Sequence, residues 1–467
     1  MNTQASSVVR QQTSALTQQL AACLQQLRLD SFPSAAVALS KHCLLDWLGV
    51  TLAGSGEPAA TILRREAELQ SGAGACTVVG TQSRLGPFWA ALANGTASHA
   101  LDFDDVVAAM AGHPTVPVVP ALLAIAESEP GGEPNAGARF ISAFIAGFEA
   151  ECRIGRLIAP SHYSRGFHVT STVGTFGATA ACAHWLGLSV PQWQTAFGLA
   201  GTQAAGLKCM FGTMTKPFHA GRAAASGVLA ARLAANGFTA HTEVLETDQG
   251  FIATQSDGAN EAALADLGRS FGIEGVLFKY HAACYLTHAG IEALLELRSA
   301  HALTPQRIAA VRLRVHPGHL KVCNIERPRT GLAAKFSLRF TAAMALASGR
   351  TDQQAFTDAI VCDPVLCRLA DQVSVIPVST LANTYQSEVE VVLSDGSVLH
   401  ALGDASRPAA GAELAQQWTR LTAKFAALAE PVVGAARAAR VLACVANLEN
   451  LQEIRELTGL LTAQVRT

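Results

Sequence analysis

Helical periodicity runs almost without interruption through the first 265 residues, and it constrains the fold more than any other feature. Apolar residues recur at helical spacing, and small residues occupy the inner faces, as in Gly174-x-x-Gly177 and Ala223-x-x-Ser226-Gly227. Small side chains let neighbouring helices approach closely. We predict helices at 8–28, 34–53, 59–70, 87–101, 117–128, 137–158, 170–186, 191–206 and 218–236, with Asn236-Gly237 ending the last one.

The pattern changes at about residue 270. Residues 308–315 alternate apolar and polar side chains, and the segments 387–393 and 397–401 flank a Ser-Asp-Gly turn that is typical of a β-hairpin. We predict helices at 285–300 and 335–349 between these strands, and helices at 411–428, 434–446 and 449–463 after them. The fold class is therefore mainly α, with a helical domain over 1–267, a smaller α+β domain over 268–405, and a helical return to the first domain over 406–467.

Composition excludes several classes of protein. The 467 residues carry a net charge of −2 without a basic stripe, which argues against nucleic-acid binding. Eleven cysteines without a C-x-x-C pair indicate reduced thiols, as in the cytoplasm. The first 20 residues are polar and lack the apolar region of a secretory signal. No apolar run reaches the roughly 18 residues of a membrane span, so we expect a soluble, cytoplasmic protein.

Carboxylates and histidines cluster within residues 99–113. The segment His-Ala-Leu-Asp-Phe-Asp-Asp is followed by Gly-His-Pro, in a chain with only 15% charged residues. Two prolines close behind His113 place that histidine in a turn. If the preceding helix continues, Asp102 and Asp105 share one face and Asp104 points away. The alternative is an acidic turn on the surface that caps a helix.

Two further polar residues are predicted at helix starts, where backbone N–H groups favour bound anions. His168 follows a glycine turn and precedes the helix at 170–186, so it faces a helix N-terminus. Lys216 precedes Pro217, a residue type that suits the first position of a helix. His219 and Arg222 lie three residues apart in that helix and are assigned packing or supporting roles, with Arg222 counted among the substrate-binding residues.

A third group opens the second domain. Lys279, Cys284 and His288 lie within ten residues of each other and are predicted to line a cleft between the domains, where substrate sites often form. Cys284 is interpreted either as an acid or base that contacts substrate or as a plain buried thiol. His288 is assigned to substrate binding, whereas His281 is expected to be peripheral.

Taken in this order, the motifs of the chain resemble the MmgE/PrpD family, whose members include 2-methylcitrate dehydratases, cis-aconitate decarboxylases and iminodisuccinate epimerases. The resemblance implies a helical domain built from both chain ends, an inserted α+β lid, and a homodimer. It implies active-site roles for the residues that fall on the family's pattern: Asp102, His113, His168, Lys216 and Lys279.

The chain departs from that pattern at two positions. Val106 stands where the dehydratases and decarboxylases carry a threonine, and Cys284 stands where the decarboxylases carry a histidine. Two segments resemble the epimerases most closely: the Gly-Thr-Met-Thr-Lys segment that ends at Lys216, and residues 327–337. One fold hosts several reactions, so family membership leaves the substrate open.

The residues themselves indicate proton transfer next to a carboxylate. Removing such a proton builds up negative charge, which Lys216, Lys279 and helix N-termini can stabilise. A histidine, His113 or His168, suits proton transfer near neutral pH, and Asp102 is predicted to hold one imidazole in the required tautomer. We predict a lyase acting on a small di- or tricarboxylate, with an epimerase as runner-up. No nucleotide motif occurs, and we predict no cofactor and no metal.

Three rival classes fit less well. The Asp-x-Asp-Asp segment is also typical of magnesium-dependent terpenoid synthases, but aromatic residues are scarce and a second metal motif is missing. An iron–sulfur dehydratase requires three clustered cysteines, which the sequence lacks. A non-catalytic helical scaffold has no need for lysine and histidine at three helix starts.

Overall fold

The computed structural model describes residues 15–129 and 135–463. Within these ranges the first part of the chain is helical apart from two short ladders. Its helices are α1 Leu16–Gln26, α2 Ser34–Gly54, α3 Pro58–Ser71, α4 Pro87–His99, α5 Thr115–Ser128, α6 Ala136–Ile158, α7 Ser161–Ser164, α8 Val169–Trp185, α9 Val190–Gly201, α10 Thr215–Ala235 and α11 Phe251–Gln255. The ladders are formed by β1 Cys76–Thr77 with β2 Arg84–Leu85 and by β3 Val106–Val107 with β4 Val276–Leu277.

The later part combines a sheet with helices. Its helices are α12 His288–His301, α13 Gly331–Ala334, α14 Leu338–Ala347, α15 Asp358–Val361, α16 Pro364–Asp371, α17 Glu413–Val433, α18 Ala435–Ala446 and α19 Arg455–Thr458. The strands are β5 Ile308–Val315, β6 Val373–Pro377, β7 Gln386–Leu393 and β8 Val398–Asp404, in the order β6-β5-β7-β8. β6 runs parallel to β5, and the other two pairs are antiparallel.

The mainly α fold class is confirmed, and most predicted elements are present within a few residues. The helix predicted at 8–28 is described from Leu16, and its residues 8–14 lie outside the described ranges. The helix predicted at 449–463 is wrong, because that segment holds only a short 3-10 turn and α19. The helix predicted at 191–206 ends early, at Gly201. Strand β6 was missed because its five residues show no long alternation.

Two apolar cores underlie this architecture. The larger one contains residues from both ends of the chain, including Leu20 of α1 and Phe425 of α17. α17 packs along α2, and a Cβ on Gly49 would lie 3.3 Å from the Cα of Phe425. The smaller core lies between the four-stranded sheet and α12 and α14, and contains Val311 and Val391, which face each other across β5 and β7. The domain boundaries at 267 and 405 stay predictions.

Helix α2 is long and apolar enough to cross a membrane by length and composition. Its most apolar window is 78% buried inside the protein, which is the behaviour of a core helix. Its neighbours are α4 and α17, which cover it from two sides. The sequence analysis had found no apolar run of that length, because the helix is interrupted by single polar residues that the fold buries, such as His42 and Asp46.

Glycines allow α4 and α10 to cross in close contact. A Cβ on Gly95 would lie 2.7 Å from the Cα of Gly221, and a Cβ on Gly221 would lie 2.2 Å from the carbonyl oxygen of Leu92. The predicted small-residue faces behave in the same way, since a Cβ on Gly227 would meet Ala178 at 2.5 Å. α4 leads into the acidic segment, and Lys216 lies in the first turn of α10. The crossing of the two helices therefore fixes the distance between the acidic segment and Lys216.

We predict that Gly221→Ala destabilises the protein by about 1–3 kcal/mol, because the added methyl group overlaps the backbone of α4. Gly290→Ala is the matched control, since the nearest atom to a Cβ there lies 3.9 Å away and alanine favours the helix by up to about 1 kcal/mol. The measurement is the urea midpoint of each variant. Equal midpoints for the two variants would show that the crossing tolerates a side chain.

Candidate active site

A two-residue ladder brings the acidic segment beside Lys279. Val106 pairs with Leu277 and Val107 with Val276, so the residues that flank this ladder lie next to each other. The Nζ atom of Lys279 donates to the carbonyl oxygen of Asp102 at 2.7 Å. Residues that are 177 positions apart in the chain are thereby joined at one point.

Asp102 is buried between two lysines. Its Oδ1 atom lies 2.5 Å from Nζ of Lys216 and 3.0 Å from Nζ of Lys279. Burial opposes the charge of this carboxyl, but the two ammonium groups outweigh burial and hold its pKa well below the usual range. Burial likewise opposes the charge of Lys279, and Asp102 outweighs it and raises the pKa of that lysine.

The backbone of Asp102 explains why the acidic segment leaves the helix. α4 ends at His99, and Asp102 adopts the left-handed conformation with φ at +52°. The shared helix face expected for Asp102 and Asp105 is therefore wrong. The alternative of a surface acidic turn is also wrong, because Asp102, Asp104 and Asp105 are all buried.

Asp104 holds two imidazoles. Its Oδ2 atom lies 2.9 Å from Nδ1 of His99 and 2.8 Å from Nδ1 of His113. The contact of His99 is a hydrogen bond, and because a carboxylate only accepts, the His99 ring carries its proton on Nδ1. Nδ1 of His113 lies within ion-pair distance of the same carboxylate oxygen. In His113, Nε2 lies 3.9 Å from Oδ1 of Asp102. Asp104, which was expected to point away, therefore orients the imidazole, a task that the sequence analysis gave to Asp102.

Asp105 lies behind the site. Its carboxyl accepts a hydrogen bond from the hydroxyl of Thr115 at 2.5 Å, at the start of α5, and also contacts the thiol of Cys43. Burial is the main cause that raises its pKa to about 8, and the nearby carboxylates of Asp46 and Asp104 contribute to this shift. Asp105 is thus protonated at neutral pH and supports the turn without adding charge.

His168 lies at the N-terminus of α8, as predicted. Its Nδ1 atom lies 3.0 Å from Nδ1 of His219 in α10, so one ring donates to the other. Its ring stacks on that of His99 at 5.8 Å, and Phe211 packs against its edge. Burial, followed by neighbouring positive groups, holds the pKa of His168 well below its usual value, so it is neutral. His219 thus supports His168 directly.

Three lysines bind three consecutive carbonyl groups of the acidic segment. Lys335 donates to Leu101 and Lys279 donates to Asp102, each at 2.7 Å. Lys424 of α17 donates to Phe103 at 2.7 Å, and its Nζ atom also lies 2.6 Å from the carboxyl of Asp46. Burial lowers the pKa of Lys335 to about 8. The sequence analysis assigned no role to Lys335, although it lies within residues 327–337, and it missed Lys424, which adjoins no recognisable motif.

These side chains face a cavity of about 290 Å³. The five residues predicted to be catalytic, Asp102, His113, His168, Lys216 and Lys279, all line it. The other lining residues include Cys284, Tyr163, Tyr285, Tyr385, His316 and Thr384 and the apolar side chains of Val106, Phe211, Leu286, Val322 and Phe336. His316 and the three tyrosines were missed, although His316 directly follows a predicted strand, a position where functional side chains are frequent.

Two residues assigned to substrate binding lie elsewhere. Arg222 is a full turn further into α10, with its guanidinium 5.9 Å from the centre of the Phe88 ring, and it does not line this cavity. His288 is buried at the start of α12, where its ring packs on His281 and Tyr285. Arg222 and His288 are therefore assigned supporting roles. Cys284 is the member of that group that the structure brings to the cavity.

His99, Asp104 and His113 could also hold a metal ion. Among the described residues, this group offers three ligand atoms within 4.8 Å of one another. Nδ1 of His99 also fits a hydrogen bond to the Asp104 carboxylate, so the group is compatible with a bound metal or with that hydrogen bond. The absence of a metal from the reaction stays a prediction.

Comparison with known protein families identifies the family of this chain. The MmgE/PrpD N-terminal domain matches residues 18–263, and the MmgE/PrpD C-terminal domain matches residues 281–450. The chain belongs to the MmgE/PrpD family. The resemblance seen in the motifs is thereby confirmed, and the cavity that the motifs line is a cavity of an MmgE/PrpD protein.

The curated relatives that match this MmgE/PrpD protein are cis-aconitate decarboxylases. The one from Homo sapiens is 29% identical over 395 residues, which are 82% of this chain and 82% of the relative's length. The one from Mus musculus is 29% identical over 406 residues, or 82% and 80% of the two chains. The one from Aspergillus terreus is 29% identical over 360 residues, or 73% of each. These relatives are lyases, which supports the lyase class at the level of the family.

The first prediction from the site concerns the imidazole protons. In the native protein, ¹⁵N NMR should show His99 with the proton on Nδ1, since both carboxylate oxygens of Asp104 lie within hydrogen-bond distance of that atom. In Asp104→Asn, one of these two oxygens is replaced by an N–H₂ donor, so the preference of His99 for the proton on Nδ1 should weaken. Asp105→Asn is the matched control and should leave the His99 tautomer in place. Mixed tautomers in the native protein would contradict this geometry.

The second prediction concerns stability and pH. Folding raises the pKa of Asp105 from 3.8 to about 8, so between these values the folded state holds a proton that the unfolded state releases. The resulting stability is complete below pH 3.8 and is lost as the pH rises through about 8, by up to about 1.4 kcal/mol per pH unit. Asp105→Asn should flatten the decline of the urea midpoint between pH 5 and 8. Asp257→Asn, at an exposed aspartate, should keep the native slope.

Proposed function

We propose that this protein is a cofactor-independent lyase that acts on a small di- or tricarboxylate by proton transfer next to a carboxylate group. One observation carries the proposal: an oriented imidazole, His113, shares a cavity with two buried ammonium groups that meet at one carboxylate. A cavity of about 290 Å³ suits a small molecule. The position of the ammonium groups suits an anionic one.

The lysines supply the electrostatic part of the reaction. Lys216 and Lys279 together carry two positive charges, and Asp102 neutralises one of them. A net positive charge in a water-poor cavity attracts the substrate carboxylate and stabilises the negative charge that develops on it. Because Asp102 fixes both ammonium groups before substrate binds, little reorganisation is needed when the charge appears.

The histidines supply the proton transfer. His113 lines the cavity with its Nδ1 atom 2.8 Å from Oδ2 of Asp104, so we assign His113 as the base. His168 is neutral and lies in the same cavity, and we assign it as the second proton carrier. If His219 donates to its Nδ1, His168 presents an N–H group and acts as the acid.

Among lyase reactions, decarboxylation is favoured over dehydration. Loss of CO₂ leaves a carbanion that one proton donor quenches, whereas dehydration also requires a donor for the departing hydroxide. Val106 lines the cavity at a position where a hydroxyl side chain would serve that purpose. The similar proteins are named cis-aconitate decarboxylases, which points to the same reaction class and to cis-aconitate as the first substrate to test.

An epimerase of a dicarboxylate such as iminodisuccinate is the second candidate. Inversion at a carbon requires one group that removes a proton and another that returns it from the opposite face. Cys284 lines the cavity together with His113, so the wall holds a thiol as well as an imidazole. A terpenoid synthase fits this site less well, because Asp102 contacts lysines and Asp104 contacts a histidine, so neither carboxylate is free to bind magnesium.

We also propose that the protein forms a homodimer and is located in the cytoplasm. The segment between α9 and α10 exposes Leu207 at 50% and Met214 at 52%, and Phe218 follows at 36%. The same segment supplies Phe211 to the cavity wall, and exposed apolar side chains of this kind are typical of a surface that a second subunit covers. All eleven cysteines are free thiols, as expected in a reducing compartment.

The proposed reaction is tested by incubating the enzyme in D₂O with cis-aconitate, 2-methylcitrate and the isomers of iminodisuccinate, followed by NMR. We expect a decarboxylated or dehydrated product, and we expect EDTA to leave the rate unchanged. His113→Ala and His168→Ala should each lower turnover by roughly 10²–10⁴-fold, because the proton-transfer contribution is lost. His241→Ala, at an exposed histidine, should behave like the native enzyme.

The outcomes separate the candidates. Deuterium next to the carboxylate with inversion, and without loss of water or CO₂, would replace the lyase by the epimerase. Loss of activity on chelation, with stoichiometric metal in the purified protein, would assign His99, Asp104 and His113 to metal binding instead. Turnover within a few-fold of native in both histidine variants would refute the acid–base assignment.

A further inference from the structure

The turn after strand β5 brings His316 to the cavity with a defined tautomer. β5 is an inner strand of the four-stranded sheet, and His316 directly follows its last residue. The Nδ1 atom of His316 accepts a hydrogen bond from the backbone N–H of Gly318 at 3.1 Å. Because Nδ1 accepts, the ring is neutral and carries its proton on Nε2. His316 lines the cavity and therefore offers it an N–H donor.

A buried histidine ties this turn to the segment that precedes β7. His319 is completely buried, and its Nε2 atom donates to the carbonyl oxygen of Thr384 at 2.6 Å. The next residue, Tyr385, donates its backbone N–H to the side chain of Asn383 at 2.7 Å. The turn and this segment are thereby fixed to each other. Both line the cavity, the segment through Thr384 and Tyr385.

Two tyrosines add hydroxyl groups to the cavity lining. Tyr163 of α7 and Tyr385 both line the cavity. Burial, followed by Cys284 and Tyr385, raises the pKa of Tyr163 to about 12. Burial and then Cys284 also raise the pKa of Tyr385, so both hydroxyl groups keep their protons and can donate. The hydroxyl of Tyr285 differs, because it already donates to the carbonyl oxygen of Ala405 at 2.8 Å.

The protein provides no acceptor for these three donors. Among the described residues, no other protein group accepts a hydrogen bond from Nε2 of His316 or from the hydroxyl of Tyr163 or Tyr385. Asp102 is the one acidic residue in the described cavity lining, and two lysines already bind it. A ligand must therefore supply the acceptor. A carboxylate suits this task, because its two oxygens accept about four hydrogen bonds.

We propose that His316, together with the hydroxyl groups of Tyr163 and Tyr385, binds a second carboxylate of the substrate. This inference rests on the proposed function, in which Lys216 and Lys279 bind the carboxylate next to the reacting carbon. The three donors are uncharged, so they bind the second carboxylate without adding to the positive charge at the lysines. A methyl group in its place leaves the donors unsatisfied, which weakens binding. These donors therefore select di- and tricarboxylates over monocarboxylates.

The test measures the affinity of the protein for succinate and for butyrate by isothermal titration calorimetry. The two acids have the same chain length and differ in one position, where butyrate carries a methyl group instead of a carboxylate. We expect the native protein to bind succinate at least about tenfold more tightly than butyrate, because hydrogen bonds to a charged group are strong. Neither acid has to react, so the measurement is independent of turnover.

Four variants locate the selectivity. His316→Asn keeps an oxygen that can accept from Gly318 but lacks the Nε2–H group, so its affinity for succinate should fall about 10–100-fold, with little change for butyrate. Tyr385→Phe should lower the ratio of the two affinities in the same direction. Tyr285→Phe is the matched control and should keep the native ratio, because its hydroxyl binds a backbone carbonyl. Lys216→Ala should weaken both acids, because they share the carboxylate that the lysines bind.

The outcomes separate this inference from the proposed function. Equal affinity of the native protein for the two acids would overturn the second-carboxylate site alone, as would a folded His316→Asn variant with the native ratio. If His316→Asn does not fold, a native ratio in Tyr385→Phe overturns the site instead. A native protein that binds neither acid would overturn both the inference and the proposed function. Selective binding without turnover of any carboxylate would support the inference and refute only the reaction.

Discussion

The buried contact between Asp102 and two lysines is the interaction on which the rest of the site depends. An ammonium group without a partner is costly to bury, and here two of them are held by one carboxylate oxygen. Removing Asp102 would leave two like charges facing each other, and removing either lysine would weaken the reason for Asp102 to ionise. The three side chains therefore form one unit, and its net charge of +1 can attract an anion.

Most of the remaining groups of the site are organised around that unit without adding charge. His99 and His168 are kept neutral by burial, which lowers the pKa of His99 to about 4. Asp105 behind them is kept protonated. Asp104 is the exception, because the two histidines beside it hold its pKa well below the usual range and it stays ionised.

Much of the fold follows from periodicity, and less of the site does. Helices such as α2 and α6 were predicted to within a few residues because their apolar positions repeat over many turns. The five cavity residues were named because they fall on the pattern of the family that the motifs resemble. The role of Asp104 was missed because it depends on one left-handed residue, Asp102, that no periodic pattern reveals. Lys335 and Lys424 reach the site through tertiary contacts alone.

The three consecutive carbonyl groups of residues 101–103 have a consequence for how the protein can be divided. Each is held by a lysine from a different part of the chain: Lys335 beside α14, Lys279 after β4, and Lys424 in α17. Neither matched family domain contains the whole set on its own. The N-terminal domain contains the turn, whereas the three lysines that bind its carbonyl groups all lie outside residues 18–263. The shape of this turn is therefore a property of the complete chain, and an isolated N-terminal half would lack the three lysines that bind its carbonyl groups.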